Sequence, residues 1–303
     1  MKRSYIFYVS CILIAAGLWG MVGLFLKGLL ALGLTRYQIV FLRMLLAAVL
    51  FGGFVLVKTK RLPTFRLRDI WCFIGTGIFN QLFFCLCYYT AIPMIGVSVA
   101  SVLMYTSPVF AILLSAVLFR EKINSRTVAA LLLALSGCVL VSGVVGGEHA
   151  LPLAGILIGL GSGLTYAFSG IFNKFALQRG YSSETISFYT FVFCALGAAP
   201  LAFMEPFPVL GGMEIVLTGG NLLGMALLCG IFPTFLYATG LKGVSPGRAS
   251  LFTSSEPAVA TLLGVLVFHE ELTLLMIVGI LLIVSAVILL SKEGESAKED
   301  AAA

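Results

Sequence analysis

Apolar residues occur in ten long runs along the chain, each of about 20 residues, separated by short polar connections. An α-helix of that length crosses the hydrocarbon core of a membrane, which is about 30 Å thick. Ten such runs use about 200 residues, so no connection is long enough for a folded domain outside the membrane. The pattern predicts spanning helices over residues 4–25, 36–57, 70–92, 98–119, 127–145, 153–173, 185–204, 217–240, 248–268 and 273–291.

The first run follows Met1-Lys2-Arg3, as the apolar core of a signal peptide would. It is too long for such a core, lacks a convincing cleavage site and precedes nine further runs. We therefore interpret it as a retained first helix. The predicted fold is an all-α polytopic membrane protein with ten transmembrane helices.

Composition supports this class. Hydrophobic residues make up 60% of the 303 residues and charged residues only 11%, and the mean hydropathy is +1.10. Soluble domains carry about 25% charged residues, so the composition excludes a soluble enzyme and, equally, a disordered chain. The 33 glycines have no three-residue period, which excludes collagen.

The positive charges predict the orientation, because Lys and Arg concentrate on the cytoplasmic side of membrane proteins. With both termini in the cytoplasm of a cell-membrane protein, 16 of the 19 cations fall on that side: Lys2, Arg3, Lys58, Lys60, Arg61, Arg66, Arg68, Arg120, Lys122, Arg126, Lys174, Arg179, Lys242, Arg248, Lys292 and Lys298. The net charge of +6 then reflects topology, and no nucleic-acid partner is expected. The polar tail 292–303 is predicted to be disordered.

The second half of the chain repeats the first at a shift of 149 residues. Residues 100–121 align with 249–270 without gaps, with the matching pairs Ala100/Ala249, Ser101/Ser250, Pro108/Pro257, Ala111/Ala260, Leu113/Leu262, Leu114/Leu263, Phe119/Phe268 and Glu121/Glu270. A shift of 147 relates the first and sixth runs and pairs Trp19 with Tyr166. We predict one repeat over 1–150 and a second over 151–291.

Each repeat holds five predicted spans, and five is an odd number. The second copy must therefore enter the membrane upside down, giving a 5+5 inverted repeat around a central cavity. Inverted repeats are typical of transporters that expose one site alternately to each side of the membrane.

The chain resembles ten-span members of the drug/metabolite transporter superfamily that carry two EamA domains. The motifs that carry the resemblance are Leu18-Trp19-Gly20, Arg43, Ser107-Pro108, Phe119-Arg120-Glu121, Glu256-Pro257 and Phe268-His269-Glu270. The resemblance implies a secondary transporter, often an exporter of amino acids, other metabolites or toxic compounds. It also implies a cavity lined by spans 1–4 and 6–9, with spans 5 and 10 outside.

Glu256 is the single acidic residue predicted to lie deep in the membrane. It follows Arg248 by eight residues, which places it about 12 Å into the hydrocarbon core. An ionisable group at that depth is costly and marks a functional site by default. We interpret Glu256 as a proton-coupling and substrate-binding residue; the alternative is a carboxyl that caps the helix break at Pro257.

Arg43 is the matching cation, about 10 Å below the outer surface by its distance along the chain from Arg36. It keeps its charge and must find a carboxylate, a carbonyl or water. It could hold a substrate carboxylate or pair with Glu256 in one state. The alternatives are that it extends to the outer interface or caps a neighbouring helix.

Other polar side chains inside the runs are candidates for substrate binding. A buried Tyr or Trp needs a hydrogen-bond partner, and an Asn offers both donor and acceptor, although packing roles fit each of them singly. These candidates are Trp19, Asn80, Tyr88, Tyr105, Tyr166 and Tyr237.

Pro108 and Pro257 are predicted to kink the middles of their helices, because proline removes a backbone donor. Each could act as a hinge or fix a static bend. The four glycines at 155, 159, 161 and 163 predict close helix packing in the sixth span.

No cofactor, metal site or enzymatic activity is predicted. The seven cysteines all lie within runs, where a small apolar packing role is typical, and no zinc-protease, phosphate-binding or dinucleotide-binding motif is visible. We predict a transporter of a small polar metabolite, such as an amino acid, moved outwards, with protons as the coupling partner. The alternatives are a metabolite or nucleotide-sugar exchanger, an uptake carrier, or a membrane enzyme or sensor.

Overall fold

A computed structural model of the chain describes residues 4–121, 123–141, 152–268 and 273–299. The chain is helical over most of these stretches. The α-helices are α1 (Tyr5–Gly20), α2 (Val22–Ala31), α3 (Arg36–Thr59), α4 (Ile70–Ile74), α5 (Phe83–Met104), α6 (Ser107–Phe119), α7 (Ser125–Val141), α8 (Leu153–Gln178), α9 (Ser183–Ala202), α10 (Gly212–Ala226), α11 (Phe232–Gly240), α12 (Pro246–Thr253), α13 (Glu256–Phe268) and α14 (Leu274–Glu299). A 3₁₀ turn precedes α4 at Leu67–Asp69, and π-helical segments occupy Gly75–Leu82 and Leu227–Ile231.

The helices coincide with all ten predicted runs. Seven helical stretches among the described residues are long and apolar enough to cross a membrane: Tyr5–Ala31, Arg36–Thr59, Leu67–Ile95, Val99–Phe119, Leu153–Gln178, Ser183–Ala202 and Gly212–Gly240. Two shorter apolar helices, Ser125–Leu140 and Leu274–Leu289, match the fifth and tenth runs. The chain is therefore an all-helical membrane protein, and the count of ten spans stays a prediction.

The third and fourth runs are joined inside α5, which bends sharply between Tyr88 and Ser101. The hydroxyl groups of Tyr88 and Ser101 share a hydrogen bond of 2.8 Å. Thirteen residues of straight helix would separate these positions by about 20 Å. The bond therefore requires a sharp bend, and a proline inside a helix is a common cause of one.

The predicted mid-helix kinks at Pro108 and Pro257 are wrong. Each proline lies in the first turn of a new helix, at the second residue of α6 and of α13. A proline there loses no hydrogen bond, because the first amides of a helix have no partner within it. The chain is thus interrupted before each proline, and a hinge at either position stays a prediction.

The helix boundaries repeat at the shift found in the sequence. Helices α6 and α13 begin at Ser107 and Glu256 and end at Phe119 and Phe268, each pair 149 residues apart. The two π-helical segments also end 149 residues apart, at Leu82 and Ile231. The interruptions therefore belong to the repeated unit. The inverted insertion of the second copy stays a prediction.

Helices α7 and α14 pack against each other, away from the centre of the bundle. The close approach is at Gly137, where a side-chain carbon would lie 2.7 Å from the carbonyl oxygen of Gly279. Glycine is needed at this point because two helix backbones meet. This pairing agrees with the expectation that spans 5 and 10 stand outside the cavity.

Helix α8 packs along α5 through the glycines singled out in the sequence. A side-chain carbon at Gly159 would lie 2.6 Å from Leu103, and one at Gly163 would lie 2.8 Å from the Leu103 carbonyl oxygen. At Gly161 the nearest atom, the sulfur of Cys87, is 3.5 Å away. Close packing thus needs glycine at 159 and 163 but not at 161.

Helix α14 continues to Glu299, and the disorder of the tail 292–303 stays a prediction. Lys, Glu and Ala dominate this stretch and are strong helix formers. Several residues used in the sequence argument lie outside the described residues. These are Lys2, Arg3, Lys122, His269 and Glu270.

Candidate functional site

A cavity of about 360 Å³ lies among the helices of both repeats. Its size is in the range of sites for small molecules, roughly 300–1,000 Å³. The lining residues are Trp19, Gly20, Val22, Gly23, Leu24, Leu26, Lys27, Arg43, Asn80, Gln81, Phe84, Tyr88, Tyr89, Ser101, Met104, Tyr105, Tyr166, Ser169, Cys229, Glu256, Ala260 and Leu263. Seven of the eight predicted substrate-binding residues are among them.

Glu256 is the acidic residue of the cavity. It is the first residue of α13, where the unpaired amides and the dipole of the helix favour a negative charge. The phenol of Tyr166 on α8 donates a hydrogen bond of 3.0 Å to its Oε2 atom. The carboxyl is therefore held both by its own helix and by a second helix.

The position of Glu256 depends on close contact between α1 and α13. A side-chain carbon at Gly20 would lie 3.0 Å from the carbonyl oxygen of Glu256 and 3.2 Å from the amide of Ala260. Glycine at residue 20 thus lets the start of α13 rest against α1. This contact explains why the Leu18-Trp19-Gly20 motif and Glu256 meet, although they lie at opposite ends of the sequence.

Arg43 is the buried cation of the cavity. The residue is only 5% exposed, which disfavours the alternative that it extends to the outer interface. Its Nη2 atom lies 3.8 Å from the sulfur of Cys85, and its Nε atom has no hydrogen-bond partner among the described residues. Within that part of the chain, no salt bridge joins Arg43 to Glu256.

Asn80 and Gln81 both line the cavity next to each other in the chain. They lie in the π-helical segment Gly75–Leu82, and Asn80 donates to the carbonyl oxygen of Thr76 at 3.3 Å. π-helical segments occur frequently at functional sites. This one presents two consecutive amide side chains to one cavity.

Aromatic rings surround the carboxyl of Glu256. Trp19 and Tyr166, which occupy equivalent positions in the two repeats, stand 6.3 Å apart between ring centres. Phe84 lies 5.2 Å from Tyr166, and Phe84 also stacks on Tyr88 at 5.7 Å. Together with Tyr105 these rings form the wall on which an apolar part of a substrate would pack.

Tyr237 is not on the lining of this cavity, and its role in substrate binding stays a prediction. It is buried behind Trp19, with 5.5 Å between the ring centres. There it lines a separate space of about 10 Å³ together with Ser250 and Thr253. That space accommodates about one water molecule, too little for a metabolite.

The cavity reaches the protein surface at Lys27, an exposed residue near the end of α2. In the predicted orientation this is the outer end. Towards the predicted inner end, contacts join the two repeats. Arg179 Nε donates to Asp69 at 2.9 Å, Tyr181 donates to the same carboxylate at 2.7 Å, and the Arg179 guanidinium lies 4.7 Å from the Trp71 ring centre.

Glu121 adds a second contact between the two repeats. It follows α6 and accepts a hydrogen bond from Ser245, at the start of α12. Burial raises the pKa of the Glu121 carboxyl, while Ser245 and the nearby Lys174 and Arg248 act in the opposite direction. Lys174 in turn donates to the carbonyl oxygen of Leu241 at 3.4 Å.

The predicted lining by spans 1–4 and 6–9 is correct except for span 7. Helix α9 has no residue on the lining and stands behind α3 and the first π-helical segment. Thr190 donates to Thr76 at 2.8 Å, and a side-chain carbon at Gly52 would lie 2.6 Å from Phe188. This close packing leaves α9 no access to the cavity.

Sequence reasoning did not single out several lining residues, among them Gln81, Phe84, Tyr89, Ser101, Ser169 and Cys229. The adjacent polar pair at 80 and 81, in an otherwise apolar run, was a signal for Gln81. No comparable signal marks Phe84 or Cys229, which resemble the many packing residues around them. The seven cysteines are free, and among the described residues no group of three ligands could hold a metal ion.

Comparison with known proteins supports a function in transport. The sequence matches the EamA-like transporter family twice, over residues 6–143 and 153–292. It is 31% identical over 288 residues to an uncharacterized transporter of Archaeoglobus fulgidus, covering 94% of this chain and 96% of that protein. An uncharacterized transporter of Bacillus subtilis is 26% identical over 275 residues, covering 87% and 84% of the two chains.

A solved crystal structure shares the fold. The TM-score is 0.77 at 18% sequence identity, and the alignment covers 96% of this chain and 98% of the other. At that identity the likeness concerns the arrangement of the helices alone. The assignment to a class of transporters rests on the sequence relatives.

Proposed function

Because the chain belongs to the EamA-like transporter family of the drug/metabolite transporter superfamily, we propose that it is a secondary active transporter that works by alternating access. The substrate is a small polar metabolite, most simply an amino acid or a related compound, moved out of the cell across the cytoplasmic membrane. Protons supply the driving force through Glu256. No cofactor takes part.

The observation that carries the proposal is the setting of Glu256. Its carboxyl lines a cavity of molecular size and accepts a hydrogen bond from a phenol of another helix, α8. A carboxyl that meets one side of the membrane at a time can bind a proton on that side and release it on the other. Each repeat contributes one wall, which suits exchange between two arrangements of the same contacts.

The central test uses purified protein in sealed lipid vesicles with a pH gradient and a mixture of radiolabelled amino acids. We expect the gradient to drive accumulation of at least one labelled compound. Glu256→Gln should abolish the gradient-driven flux but retain exchange of label between equal pools, because exchange requires binding and reorientation without net proton movement.

The matched control is Glu205→Gln, which neutralises an exposed carboxylate outside the cavity and should leave both fluxes unchanged. Gradient-driven flux that survives in Glu256→Gln would remove this residue from coupling. Absence of flux of any metabolite in the wild-type vesicles would contradict transport itself.

A further inference from the structure

Arg43 lines the cavity together with residues of both π-helical segments. The cavity is lined by Asn80 and Gln81 of the first segment and by Cys229 of the second, as well as by Arg43. Helix α3 packs against the second segment, where a side-chain carbon at Gly230 would lie 3.8 Å from Ala47 of α3. Two irregular stretches at equivalent repeat positions thus converge on one charged side chain.

The guanidinium of Arg43 lacks the partners that a buried cation requires. It is only 5% exposed, and a buried charge without compensating partners is strongly unfavourable. Its hydrogen-bond contact in the described part of the chain is the Cys85 thiol at 3.8 Å, a long and weak acceptor, and its Nε has none there. Arginine presents a planar fork of donors that matches a carboxylate.

The other polar groups around Arg43 fit the same ligand. Gln81 and Tyr89 both hydrogen-bond to Cys85 and both line the cavity. An amide and a phenol can donate to an anionic oxygen without adding negative charge. The same cavity also contains Glu256, which would repel an anion and attract an ammonium group.

We infer that Arg43, Gln81 and Tyr89 form a subsite for the carboxylate group of the transported compound, separate from the Glu256 end of the cavity. The inference rests on the proposed function, since it takes this cavity as the substrate site. It restricts the substrate to compounds with a carboxylate, and it assigns the π-helical segments the role of shaping that subsite.

The test is a binding titration in detergent with Trp19 as the reporter. The chain has two tryptophans, so Trp71→Phe leaves Trp19, on the cavity wall, as the only source of indole fluorescence. The probes are leucine, 4-methylpentanoate, which lacks the amine, and 3-methylbutylamine, which lacks the carboxylate. A second set consists of phenylalanine, 3-phenylpropanoate and 2-phenylethylamine.

In this background we expect Arg43→Gln to weaken binding of the amino acid and the carboxylate by about tenfold or more, the usual effect of losing a charged hydrogen bond. Binding of the amine should change less than about twofold, and that retained binding shows that the variant is folded. Arg43→Lys should recover part of the lost affinity, because it keeps the charge but not the planar fork.

Equal weakening of all probes by Arg43→Gln would overturn the inference, as would a wild-type protein that binds neither carboxylate-bearing set. Tighter Arg43-dependent binding of inorganic phosphate than of every carboxylate would overturn the assignment of the ligand. The titration uses no gradient, so failure of transport in vesicles leaves its result intact. Conversely, proton-driven flux without Arg43-dependent selectivity would contradict the subsite alone.

Discussion

The phenol of Tyr166 and the carboxyl of Glu256 are joined by a hydrogen bond of 3.0 Å across 90 residues of sequence. The bond links α8 to the first residue of α13, so it connects the sixth predicted span with the ninth. Trp19 and Phe84 pack on the same phenol from two other spans. A change in the hydrogen bonding of this carboxyl would therefore affect residues of four helices, α1, α5, α8 and α13.

Replacing Tyr166 by Phe keeps the ring and removes the donor. We expect proton-driven flux to fall about tenfold or more, because a hydrogen bond to a charged group contributes about 1.5–3 kcal/mol. Exchange of label between equal pools should fall much less. Vesicle flux assays with and without a pH gradient measure both quantities.

The control for this change is Tyr189→Phe, which removes a phenol that donates to the carbonyl oxygen of Pro63 at 2.6 Å, away from the cavity. It should leave both fluxes near the wild-type values. A Tyr166→Phe protein with unaltered gradient-driven flux would show that the bond to Glu256 plays no part in coupling.

The contact between Asp69 and Arg179 is predicted to stabilise the fold. A double-mutant cycle with Asp69→Asn and Arg179→Gln should give a coupling free energy of about 1 kcal/mol, because the pair is well aligned at 2.9 Å and the carboxylate is only 7% exposed. Reversible unfolding in mixed detergent micelles gives the four stabilities that the cycle needs.

The Lys58–Glu184 pair provides a comparison on the same kind of surface. It is longer, at 3.7 Å, and its side chains are 57% and 28% exposed, so we expect a coupling below about 0.5 kcal/mol. A coupling free energy for Asp69 and Arg179 no larger than this would mean that their contact does not stabilise the fold.

Helix packing against α5 should distinguish two neighbouring glycines of α8. Gly163→Ala places a methyl group 2.7 Å from the Thr106 hydroxyl and 2.8 Å from a backbone oxygen, and overpacking of this kind costs about 1–3 kcal/mol. Gly161→Ala meets no atom closer than 3.5 Å and should be within about 0.5 kcal/mol of the wild type. Unfolding midpoints of the two variants, measured under one condition, test the difference; equal midpoints would contradict the packing.

Much of the fold follows from the sequence because lipid imposes strong rules. The length of the apolar runs located all the helices, and the recurrence of Pro108 at Pro257 identified the repeat. The breaks in the helices within these runs could not be predicted, because a break does not change the length of an apolar run. The break before Glu256 depends on its contact with Gly20, which no local pattern reveals.

The sequence predicted the two charged residues of the site. Placing a charged group in the hydrocarbon core is energetically unfavourable, so Glu256 and Arg43 were identified by their positions alone, and both line the cavity. Tyr237 packs behind Trp19 and is not on the lining, which the sequence did not reveal because a tyrosine in an apolar helix is equally suited to packing. Tyr89 was missed for the same reason, since only the arrangement around Arg43 separates it from Tyr237.

Ser107 and Glu256 hold the same place at the start of their helices, but only one of them can carry a proton. Among the described residues that line the cavity, Glu256 is the one carboxylic acid. If this group carries the coupling, each cycle moves a single proton, and a pH difference of one unit supplies about 1.4 kcal/mol. A neutral substrate could then be concentrated by no more than about tenfold for each unit of pH difference. The asymmetry of one residue between two similar halves thus limits how steep a gradient the protein can sustain.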